Sequence, residues 1–447
     1  MCGITGFNWQ DKSLIEKMTL TIKHRGPDDE GQVIVDTIGL GMRRLSIIDL
    51  ATGHQPLSNE DDAVWIVFNG EIYNFKNLRD ELEQKEHRFK TISDTESIIH
   101  GYEMWGEDVC KKLNGMFGFA IWDRQKKKLL LGRDRLGIKP LYYYEDDEKI
   151  VFGSEIKSIL QAPNVHLTID FQALNNYLTF EYIPAPRSIF KEIRKLKPGH
   201  WLTWQAGQIK IRSYWHLEPN IADWNEKEAE DQLRSILKDS VKMRLISDVP
   251  LGAFLSGGID SSIIVSLMAD LQKEPVKTFS IGFKESSYNE LKYARAVANK
   301  YHTDHYELTI EPKALELTEK LIKHLDEPFG DFSIFPTFLV SQMARDVVTV
   351  VLSGDGGDEL FAGYDSYKAH RFDRRFYHRL PKLIKAGILN KVSEHLPPTE
   401  KKKGFLNSYK RFIQGTQFPK TLDHANKHPA WFMAIAECLS ESTTGRH

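Results

Sequence analysis

The chain has 447 residues, which is too long for a single small module and long enough for roughly three average domains or two large ones. Lys and Arg number 60 against 62 Asp and Glu, so the net charge of -2 excludes a global basic field that would hold the protein on nucleic acid or anionic lipid. Hydrophobic and charged fractions of 41% and 27% exclude a disordered or fibrous protein and leave a small-molecule enzyme as the default expectation.

The first part of the chain is predicted to form short strands with few helices. A helix is predicted within residues 11–26, before a Gly-Pro pair that would end it. Its apolar residues at helical spacing are Leu14, Ile15, Met18 and Ile22. Strand-like pieces separated by charged or glycine-containing turns follow at 32–41, 63–74, 128–145 and 149–155. A second helix is predicted at 93–106, with Ser93 or Asp94 near its start. Many strands and few helices predict packed antiparallel sheets.

Periodicity is lost between about residues 205 and 225, where we place a domain boundary. The expected division is a first domain at 2–206, a linker at 207–224 and a second domain at 225–447. In the second domain strands alternate with helices: strands at 249–256, 276–283, 305–310 and 347–357, and helices at 261–273, 289–301, 312–325 and 335–346. This alternation predicts an α/β fold with a doubly wound, mostly parallel sheet that binds ligands at the carboxyl ends of its strands.

Cys2 follows the initiator Met and precedes Gly3, small residues that permit removal of Met1. Removal would make Cys2 the N-terminal residue, which carries a nucleophile and a base together because its α-amino group can accept the thiol proton. The alternative is a cysteine that stands near the start of the chain by chance. The neighbouring motifs favour the catalytic interpretation.

Four motifs follow Cys2 in order: HRGPDDEG at 24–31, RRLSIIDL at 43–50, FNGEIYN at 68–74 and SDTE at 93–96. Together they resemble the class II, N-terminal-nucleophile glutamine amidotransferases, in the version fused to asparagine synthetase. The resemblance implies an antiparallel sheet sandwich flanked by helices for the first domain.

By this resemblance, Arg44 pairs with the α-carboxylate of glutamine and Asp94 accepts its α-ammonium. Asn69 and Gly70 form the oxyanion hole, a side-chain amide and a backbone N–H directed at the tetrahedral intermediate. The remaining pocket residues implied by the motifs are Leu45, Ser46, Ile47, Ile48 and Glu71.

Each of these residues also has an ordinary structural interpretation. Arg44 could be a surface cation beside Arg43, Asn69-Gly70 is also a strong hairpin-turn signal, and Asp94 could serve only as a helix cap. The order of the motifs after Cys2 favours the catalytic roles.

A second group of residues, LSGGIDSS at 255–262, lies between an apolar strand and an apolar helix. It is not a Walker loop, because no Gly-Lys-Ser/Thr follows. Its glycines, hydroxyls and helix N-terminus favour a bound polyanion over an ordinary turn. The loop resembles the pyrophosphate loop of ATP pyrophosphatases. That likeness implies nucleotide binding by Leu255, Ser256, Gly257, Gly258, Asp260 and Ser261, with Asp260 also a ligand for Mg²⁺.

An acidic loop, LSGDGGDELFAGY at 352–364, follows the apolar strand that ends near 351. Asp355, Asp358 and Glu359 would repel one another unless cations or ammonium groups were present. The resemblance to asparagine synthetases implies that Asp358 binds Mg²⁺ with Asp260 and that Glu359 binds the ammonium of aspartate. It also implies nucleotide contacts for Ile281, Ser353 and Gly354, and a catalytic role for Asp355. An exposed acidic turn is the alternative.

The implied reaction is ATP-dependent asparagine synthesis from glutamine and aspartate. Ammonia released at Cys2 travels through an internal tunnel in this family and displaces AMP from β-aspartyl-AMP. Separating the sites protects the acyl-adenylate from water.

Two departures from the family pattern leave alternatives open. Asp355 stands where the best-studied members have Glu, and the SGDGGDE motif also resembles amidotransferases that act on sugar or cell-surface carboxylates. The family's later segments, with a lysine that steadies pyrophosphate, are not found before His447, and Lys403 comes too soon to match it. We therefore expect the second domain to be incomplete. A truncated protein that retains only glutaminase activity or nucleotide binding is a third hypothesis.

The remaining expectations concern location and partners. Cys2, Cys110 and Cys438 cannot form a disulfide framework, which indicates a reducing, cytoplasmic compartment. No apolar run approaches the roughly 20 residues of a membrane helix. The N-terminal segment at 1–12 lacks a basic stretch followed by an apolar one, so we do not expect it to be a secretory signal. Glutamine, aspartate and ATP are the expected partners, with no nucleic acid or membrane. Family members are often dimeric, so a homodimer is the expected assembly.

Overall fold

The computed structural model describes residues 1–146, 148–163, 165–284, 289–310, 314–381 and 412–413. In its first half, two antiparallel sheets of six strands each are present among these residues. The strands are β1 (Gly3–Phe7), β2 (Asp29–Val35), β3 (Ile38–Arg44), β4 (Leu57–Ser58), β5 (Val64–Ile72), β6 (Gly115–Asp123), β7 (Lys128–Arg133), β8 (Tyr142–Asp146), β9 (Lys149–Gly153), β10 (Ile193–Lys195), β11 (His200–Gln205) and β12 (Gln208–Ser213). The strand orders are β10-β8-β9-β1-β3-β2 and β12-β11-β7-β6-β5-β4.

Helices cover the outer faces of these sheets. They are α1 (Lys12–Thr21), α2 (Phe75–Glu83), α3 (Asp94–Trp105), α4 (Val109–Lys112), α5 (Ile156–Ile159) and α6 (Phe171–Phe180). Helix α1 packs Leu14, Ile15 and Met18 onto the first sheet, and α3 packs Ile98, Ile99 and Tyr102 onto the second. The layers run helix, sheet, sheet, helix. This arrangement confirms the sandwich flanked by helices.

The two sheets face each other because their strands alternate apolar residues at a period of two. In β5, Ile66 and Phe68 point to the α3 side, whereas Val67 packs between the sheets. Side chains from β1 and β3, among them Ile4 and Leu40, meet Val67 in that central core. Both faces of β5 are thus buried.

The second half contains a four-stranded parallel sheet with the order β15-β14-β13-β16. Its elements are α7 (Glu226–Arg244), β13 (Leu251–Phe254), α8 (Ile259–Leu271), β14 (Lys277–Phe283), α9 (Leu291–Tyr301), β15 (Asp304–Ile310), α10 (Ala314–His324), α11 (Ile334–Arg345), β16 (Val350–Leu352), α12 (Gly357–Phe361) and α13 (Asp365–Arg375).

Helices lie on both faces of this parallel sheet. Val265 of α8 and Ala294 of α9 pack with Val241 of α7 on one face, while Val340 of α11 packs against Phe279 on the other. The doubly wound prediction is therefore confirmed. Three strands follow one another toward one edge, and β16 lies on the other side of β13, so the strand order reverses between β13 and β16.

Three details of the predicted elements are wrong. The predicted linker at 207–224 begins with β12, which pairs with β11 from Gln205↔Gln208 to His200↔Ser213, so the first domain's sheet extends past residue 206. The piece at 128–145 is two strands in different sheets, because the chain turns around the Asp134 carboxylate, which accepts the N–H groups of Ile138 and Lys139. The strand predicted at 347–357 is limited to Val350–Leu352, since Ser353 and the glycine-rich stretch at 354–357 follow it.

Within the described residues, none of the helices is both long enough and apolar enough to cross a membrane. Lys403 and Cys438 lie outside the described residues.

Candidate active sites

Cys2 immediately precedes β1 and is half-buried against the core between the two sheets. The Leu45 N–H donates to its Sγ at 3.4 Å, and the Sγ lies 3.6 Å from the Leu45 carbonyl oxygen. Arg25 Nε donates to the Cys2 carbonyl at 2.8 Å. Burial raises the pKa of the Cys2 thiol, while the Leu45 N–H, the α-amino group and Lys139 oppose the rise. The thiol therefore needs a nearby base to become a nucleophile.

Asn69 and Glu71 lie on the inner face of β5, the face that carries Val67 toward the first sheet, because β-strand side chains alternate. This face looks into the same central layer as Cys2. The Asn69 side chain is fully buried, and neither its Nδ2 nor its Oδ1 has a hydrogen-bond partner in the described structure. An orphaned buried amide of this kind calls for an explanation, and a ligand that it would bind is one.

The backbone of β5 supplies a second donor beside Asn69. The N–H groups of Phe68 and Ile72 point away from β6 and donate to Gln55 Oε1 at 2.7 Å and Asp94 Oδ2 at 2.9 Å. Gly70 lies midway between them, so strand alternation directs its N–H to the same edge. A side chain at Gly70 would meet the Met116 carbonyl at 2.1 Å. Asn69 and Gly70 are strand residues paired with Gly118 and Phe117, and the hairpin-turn alternative is therefore wrong.

Arg44 is the last residue of β3 and is buried. Its Nη2 donates to the carbonyls of Ile48 and Asp49, each at 2.8 Å. Gly53 makes room for the guanidinium, since a Cβ there would come within 2.2 Å of Nη2. Arg43, by contrast, forms an ion pair with Glu30. The surface-cation alternative for Arg44 is thus wrong, because the group is buried and held in one orientation.

Asp94 and Glu71 form an acidic pair within this buried region. Burial raises the pKa of Asp94 to about 6, against the N–H groups of Ile72 and Thr95 and the charge of Arg44. Burial, and then the charge of Asp94, raises the pKa of Glu71 to about 7. Ser93, and not Asp94, caps α3, because its side chain accepts the Thr95 N–H. Asp94 is the first residue of α3 and not its N-cap residue.

Sequence reasoning missed two amines beside Cys2, those of Lys139 and of the N-terminus. The Lys139 side chain is buried, with Nζ 3.1 Å from Met1 Sδ, and burial lowers its pKa. Burial, with the charges of Arg25 and Lys139, lowers the pKa of the Met1 α-amino group to about 6. The N-terminal amine at this position is thus held largely neutral at pH 7.

The second site lies where the strand order reverses between β13 and β16. Open α/β sheets bind ligands at this point, beyond the carboxyl ends of the strands. The loop at 255–258 leaves β13, and the loop at 353–356 leaves the adjacent β16. The two loops touch, since a Cβ on Gly354 would lie 2.7 Å from the Ser261 nitrogen and one on Gly357 would lie 2.5 Å from Asp260 Cγ.

The β13 loop presents hydroxyls and a helix N-terminus. Gly257 has φ 80°, and a Cβ there would meet the backbone nitrogen of Ala294 at 2.4 Å. Ser256 Oγ lies 3.0 Å from Ser261 Oγ and accepts the Gly258 N–H at 3.2 Å. Gly258 begins α8 without a side-chain cap, which leaves this helix end suited to an anion.

The carboxylates of Asp260, Asp358 and Glu359 lie near one another across the two loops. Burial and the charges of Asp358 and Glu359 raise the pKa of Asp260. Glu359 Oε1 accepts the Tyr364 hydroxyl at 2.6 Å, and Asp355 Oδ2 accepts the Ser353 hydroxyl at 2.9 Å. Mutual repulsion of this kind is relieved by a cation, so the donor set fits a hard metal ion such as Mg²⁺.

Leu255 and Ile281 differ from the other residues predicted to bind nucleotide. The Leu255 side chain is buried in the core with Val265 and Ala294, so it is not available to a ligand. Its N–H donates to the Phe279 carbonyl at 2.9 Å. Ile281 is partly buried on β14 among the residues that pack with α11.

Comparison with known proteins agrees with this geometry. A glutamine amidotransferase domain family matches residues 1–215, and an asparagine synthase family matches residues 232–433. A putative asparagine synthetase (glutamine-hydrolysing) 2 of Methanocaldococcus jannaschii is 40% identical over 441 residues, covering 92% of this chain and 83% of that protein. The chain belongs to the glutamine-hydrolysing asparagine synthetase family.

Two further relatives differ in how much of their length is matched. Asparagine synthetase (glutamine-hydrolysing) 1 of Bacillus subtilis is 38% identical over 400 residues, which are 87% of this chain. The match covers 63% of the B. subtilis protein's own length. Amidase chyE of Penicillium rubens is 31% identical over 456 residues, covering 90% of this chain and 67% of that protein.

In this asparagine synthetase family member, the segment that follows Arg44 touches both domains. Leu45 contacts the Cys2 thiol, whereas the carbonyl of Ile47 accepts the N–H of Asp248 at 2.9 Å. Asp248 Oδ2 in turn accepts the Asp49 N–H at 2.7 Å. The Ser46 N–H donates to Asp28 at 3.0 Å. The predicted pocket residues 45–48 thus connect the thiol with the start of β13.

A second contact between the domains is an ion-pair chain. Arg25 and Lys157 both bind Glu155, at 2.9 and 2.8 Å, and Lys157 also lies 3.2 Å from Asp326. Because Arg25 also donates to the Cys2 carbonyl, charged contacts run without a break from Cys2 to the segment after α10.

Proposed function

We propose that the protein is an ATP-dependent asparagine synthetase that takes its ammonia from glutamine. Two features of one chain carry this proposal. The first is a half-buried thiol at residue 2 and an Asn69 amide without a hydrogen-bond partner, both on the layer between the two sheets. The second is the pair of touching loops at the point where the strand order of the parallel sheet reverses. The first arrangement suits acyl transfer, and the second suits a polyanionic nucleotide.

The glutaminase half-reaction begins after Met1 is removed. The α-amino group of Cys2 would accept the thiol proton, which suits the environment that lowers the pKa of the Met1 amine to about 6. The thiolate attacks the carboxamide carbon of glutamine, and Asn69 Nδ2 and the Gly70 N–H donate to the resulting oxyanion. Ammonia leaves with the transferred proton, and water hydrolyses the thioester to glutamate.

Glutamine is held by its charged end. The guanidinium of Arg44, oriented by two carbonyls, pairs with the α-carboxylate, and Asp94 accepts the α-ammonium. Both groups are buried, so water does not screen their attraction for the substrate.

The synthetase half-reaction joins aspartate to AMP. The β-carboxylate of aspartate attacks the α-phosphorus of ATP, and pyrophosphate leaves into the loop of Ser256, Gly257 and Gly258. Asp260 and Asp358 would hold Mg²⁺, which neutralises charge on the departing pyrophosphate when bound. Glu359 would accept the ammonium of aspartate. Ammonia then attacks the acyl carbon and displaces AMP.

Pyrophosphate release tests this proposal. The full chain is supplied with MgATP, aspartate and either glutamine or ammonium, while asparagine, AMP and pyrophosphate are measured. We expect all three products in equal amounts. Formation of ADP and phosphate, or no product while glutaminase activity persists, would contradict an aspartate acceptor.

Asp355 favours one second candidate, a related enzyme that amidates a different carboxylate. Its carboxylate is shorter than the Glu that the resemblance leads one to expect, and it is exposed and tied to Ser353. Replacement by the longer acid tests this: Asp355→Glu should increase aspartate-dependent pyrophosphate release if the acceptor is not aspartate, and should not increase it otherwise.

We also propose a cytoplasmic location and a homodimer. The cysteine content supports the reducing compartment. Fractionation of cells and sedimentation of the purified chain test the two statements separately.

A further inference from the structure

Four titratable side chains converge beside helix α3, outside both sites described above. His100 and Glu103 come from α3, His87 from the segment after α2 and Glu60 from the segment after β4. His100 Nδ1 lies 2.8 Å from Glu103 Oε2 and 4.0 Å from Glu60 Oε2, and His87 Nδ1 lies 3.5 Å from Glu103 Oε2. The nearest atoms of His87, His100 and Glu103 all lie within 4.8 Å of one another.

In both Glu103 and Glu60, one carboxylate oxygen accepts a hydrogen bond from a neighbouring residue and the other oxygen points toward the histidines. Glu103 Oε1 accepts the Asn59 amide at 2.6 Å, which leaves Oε2 to the two histidines. Glu60 Oε1 accepts the Arg88 N–H at 3.1 Å, which leaves Oε2 to His100. The inward oxygens are thus fixed in place by neighbours that take no part in the cluster.

A further carboxylate, that of Glu96, approaches the opposite side of the His100 ring without hydrogen-bonding to it. The His100 ring is fully buried, and Nε2 lies 3.6 Å from Glu96 Oε1. Glu96 is itself anchored, since its oxygens accept the N–H groups of Lys90 and Thr91, each at 2.7 Å. A carboxylate behind a histidine is the usual partner that orients a metal-binding imidazole and fixes its tautomer.

We propose that Glu60, His87, His100 and Glu103 bind a divalent transition metal ion, with Zn²⁺ the best match. Two imidazole nitrogens and two carboxylate oxygens are a donor set that zinc accepts, and bonds of about 2.0–2.1 Å in a tetrahedron separate ligand atoms by roughly 3.3 Å. Three of the six distances between the four ligand atoms are 2.8, 3.5 and 4.0 Å, and these bracket that value; His87, His100 and Glu103 form the compact part of the group, with Glu60 at its edge. Four protein ligands leave no position open for a substrate, so the metal is structural.

A proton is the competing occupant of this cluster. His100 Nδ1 lies 2.8 Å from Glu103 Oε2, so Nδ1 either carries a proton that it donates to the carboxylate or is deprotonated and shares a metal ion with it. In the second case the metal displaces the proton, as metal binding to histidine generally does. Zinc would then tie the segments around residues 60 and 87 to α3, the helix that begins at Asp94.

Zinc titration of the full chain tests the proposal. Cys2→Ala and Cys438→Ala are included throughout so that thiols do not bind the probe. After treatment with a chelator, Zn²⁺ is titrated calorimetrically in excess Mg²⁺, bound zinc is counted by elemental analysis, and the thermal unfolding midpoint is recorded with and without zinc. We expect one zinc ion per chain and a midpoint that rises with zinc.

His87→Ala and Glu60→Gln are the informative variants, because both residues lie at the rim of the cluster and neither is fully buried. Each should weaken zinc binding at least about tenfold, since loss of even a supporting partner costs that much, and should remove the midpoint rise. His216→Ala, whose imidazole pairs with Glu218 at 2.8 Å on the surface, is the matched control and should bind zinc as the parent does. Equal affinity in the parent and both rim variants, or no zinc uptake by the parent, would overturn the proposal.

Discussion

Asn69 allows a test in which activity and stability move in opposite directions. Its side chain is fully buried, and neither polar atom has a hydrogen-bond partner in the described structure. A buried donor or acceptor without a partner costs about 1–3 kcal/mol each. Asn69→Val removes both groups, is similar in size and suits a strand. We expect the free energy of unfolding to rise by about 1–3 kcal/mol after a discount for imperfect packing.

Catalysis should respond with the opposite sign. If Asn69 donates to the oxyanion, losing that donor should reduce kcat for glutamine hydrolysis about 100- to 1000-fold. The assay is glutamate release under saturating glutamine, alongside the thermal midpoint of the purified chain. For a domain of about 200 residues, a gain of 1 kcal/mol raises the midpoint by roughly 2–4 °C.

Asn59 provides the matched control. It is equally an asparagine in the first domain and is buried, but its amide donates to Glu103 and its Oδ1 accepts the N–H groups of Ala63 and Val64. Asn59→Val should therefore lower the midpoint and leave kcat near the parent value. An Asn69→Val protein that keeps kcat within threefold, or that unfolds at a lower temperature, would refute the oxyanion argument.

Three further predictions separate the two sites and the role of charge. Cys2→Ala should abolish glutamine-dependent pyrophosphate release and leave ammonium-dependent release; loss of both would show that the sites are not separate. Asp260→Asn should do the reverse, with glutaminase retained and pyrophosphate formation reduced roughly 100-fold or more, as expected for a metal ligand; near-parent adenylation would exclude the metal role. Because the pKa of Asp94 is raised to about 6, kcat/KM for glutamine should fall about tenfold per pH unit below 6, as the carboxylate that receives the ammonium is protonated. The same raised pKa means that the folded state binds the proton more tightly, so the contribution of Asp94 to stability decreases as pH rises from 3.8 to about 6, and Asp94→Asn should be more stable than the parent at pH 7. A kcat/KM profile that is flat down to pH 5 would contradict the assignment.

The layered fold could be predicted largely from periodicity, because period-two alternation and the alternation of strands with helices are both local signals. Strand β12 was missed for a physical reason. It lies at a sheet edge with polar, mostly exposed residues, and only Ile209 and Ile211 alternate in it. An edge strand buries little apolar surface, so its sequence resembles a linker.

The site residues divide in a similar way. Asn69 and Gly70 could be found from a motif, but Asn-Gly is also a turn signal, and only the pairing with Gly118 and Phe117 places them inside a strand. Lys139 carries no local signal, because it approaches Met1 across 138 residues of sequence through the turn at Asp134. Contacts of this range depend on the packing of the whole domain.

The segment that follows Arg44 cannot serve the two sites independently. The carbonyls of Ile48 and Asp49 hold the Arg44 guanidinium, the Leu45 N–H holds the Cys2 thiol, and the backbone of Ile47 and Asp49 binds Asp248 just before β13. If Arg44 binds the glutamine carboxylate as proposed, any movement of its guanidinium is transmitted to the carbonyls of Ile48 and Asp49, and Asp49 itself contacts Asp248 of the second domain. Any shift of that domain changes the same hydrogen bonds from the other side. One short backbone segment thus holds the proposed nucleophile Cys2, orients the proposed glutamine-binding cation Arg44 and contacts the second domain. A substitution that loosens this segment should therefore affect both proposed sites together.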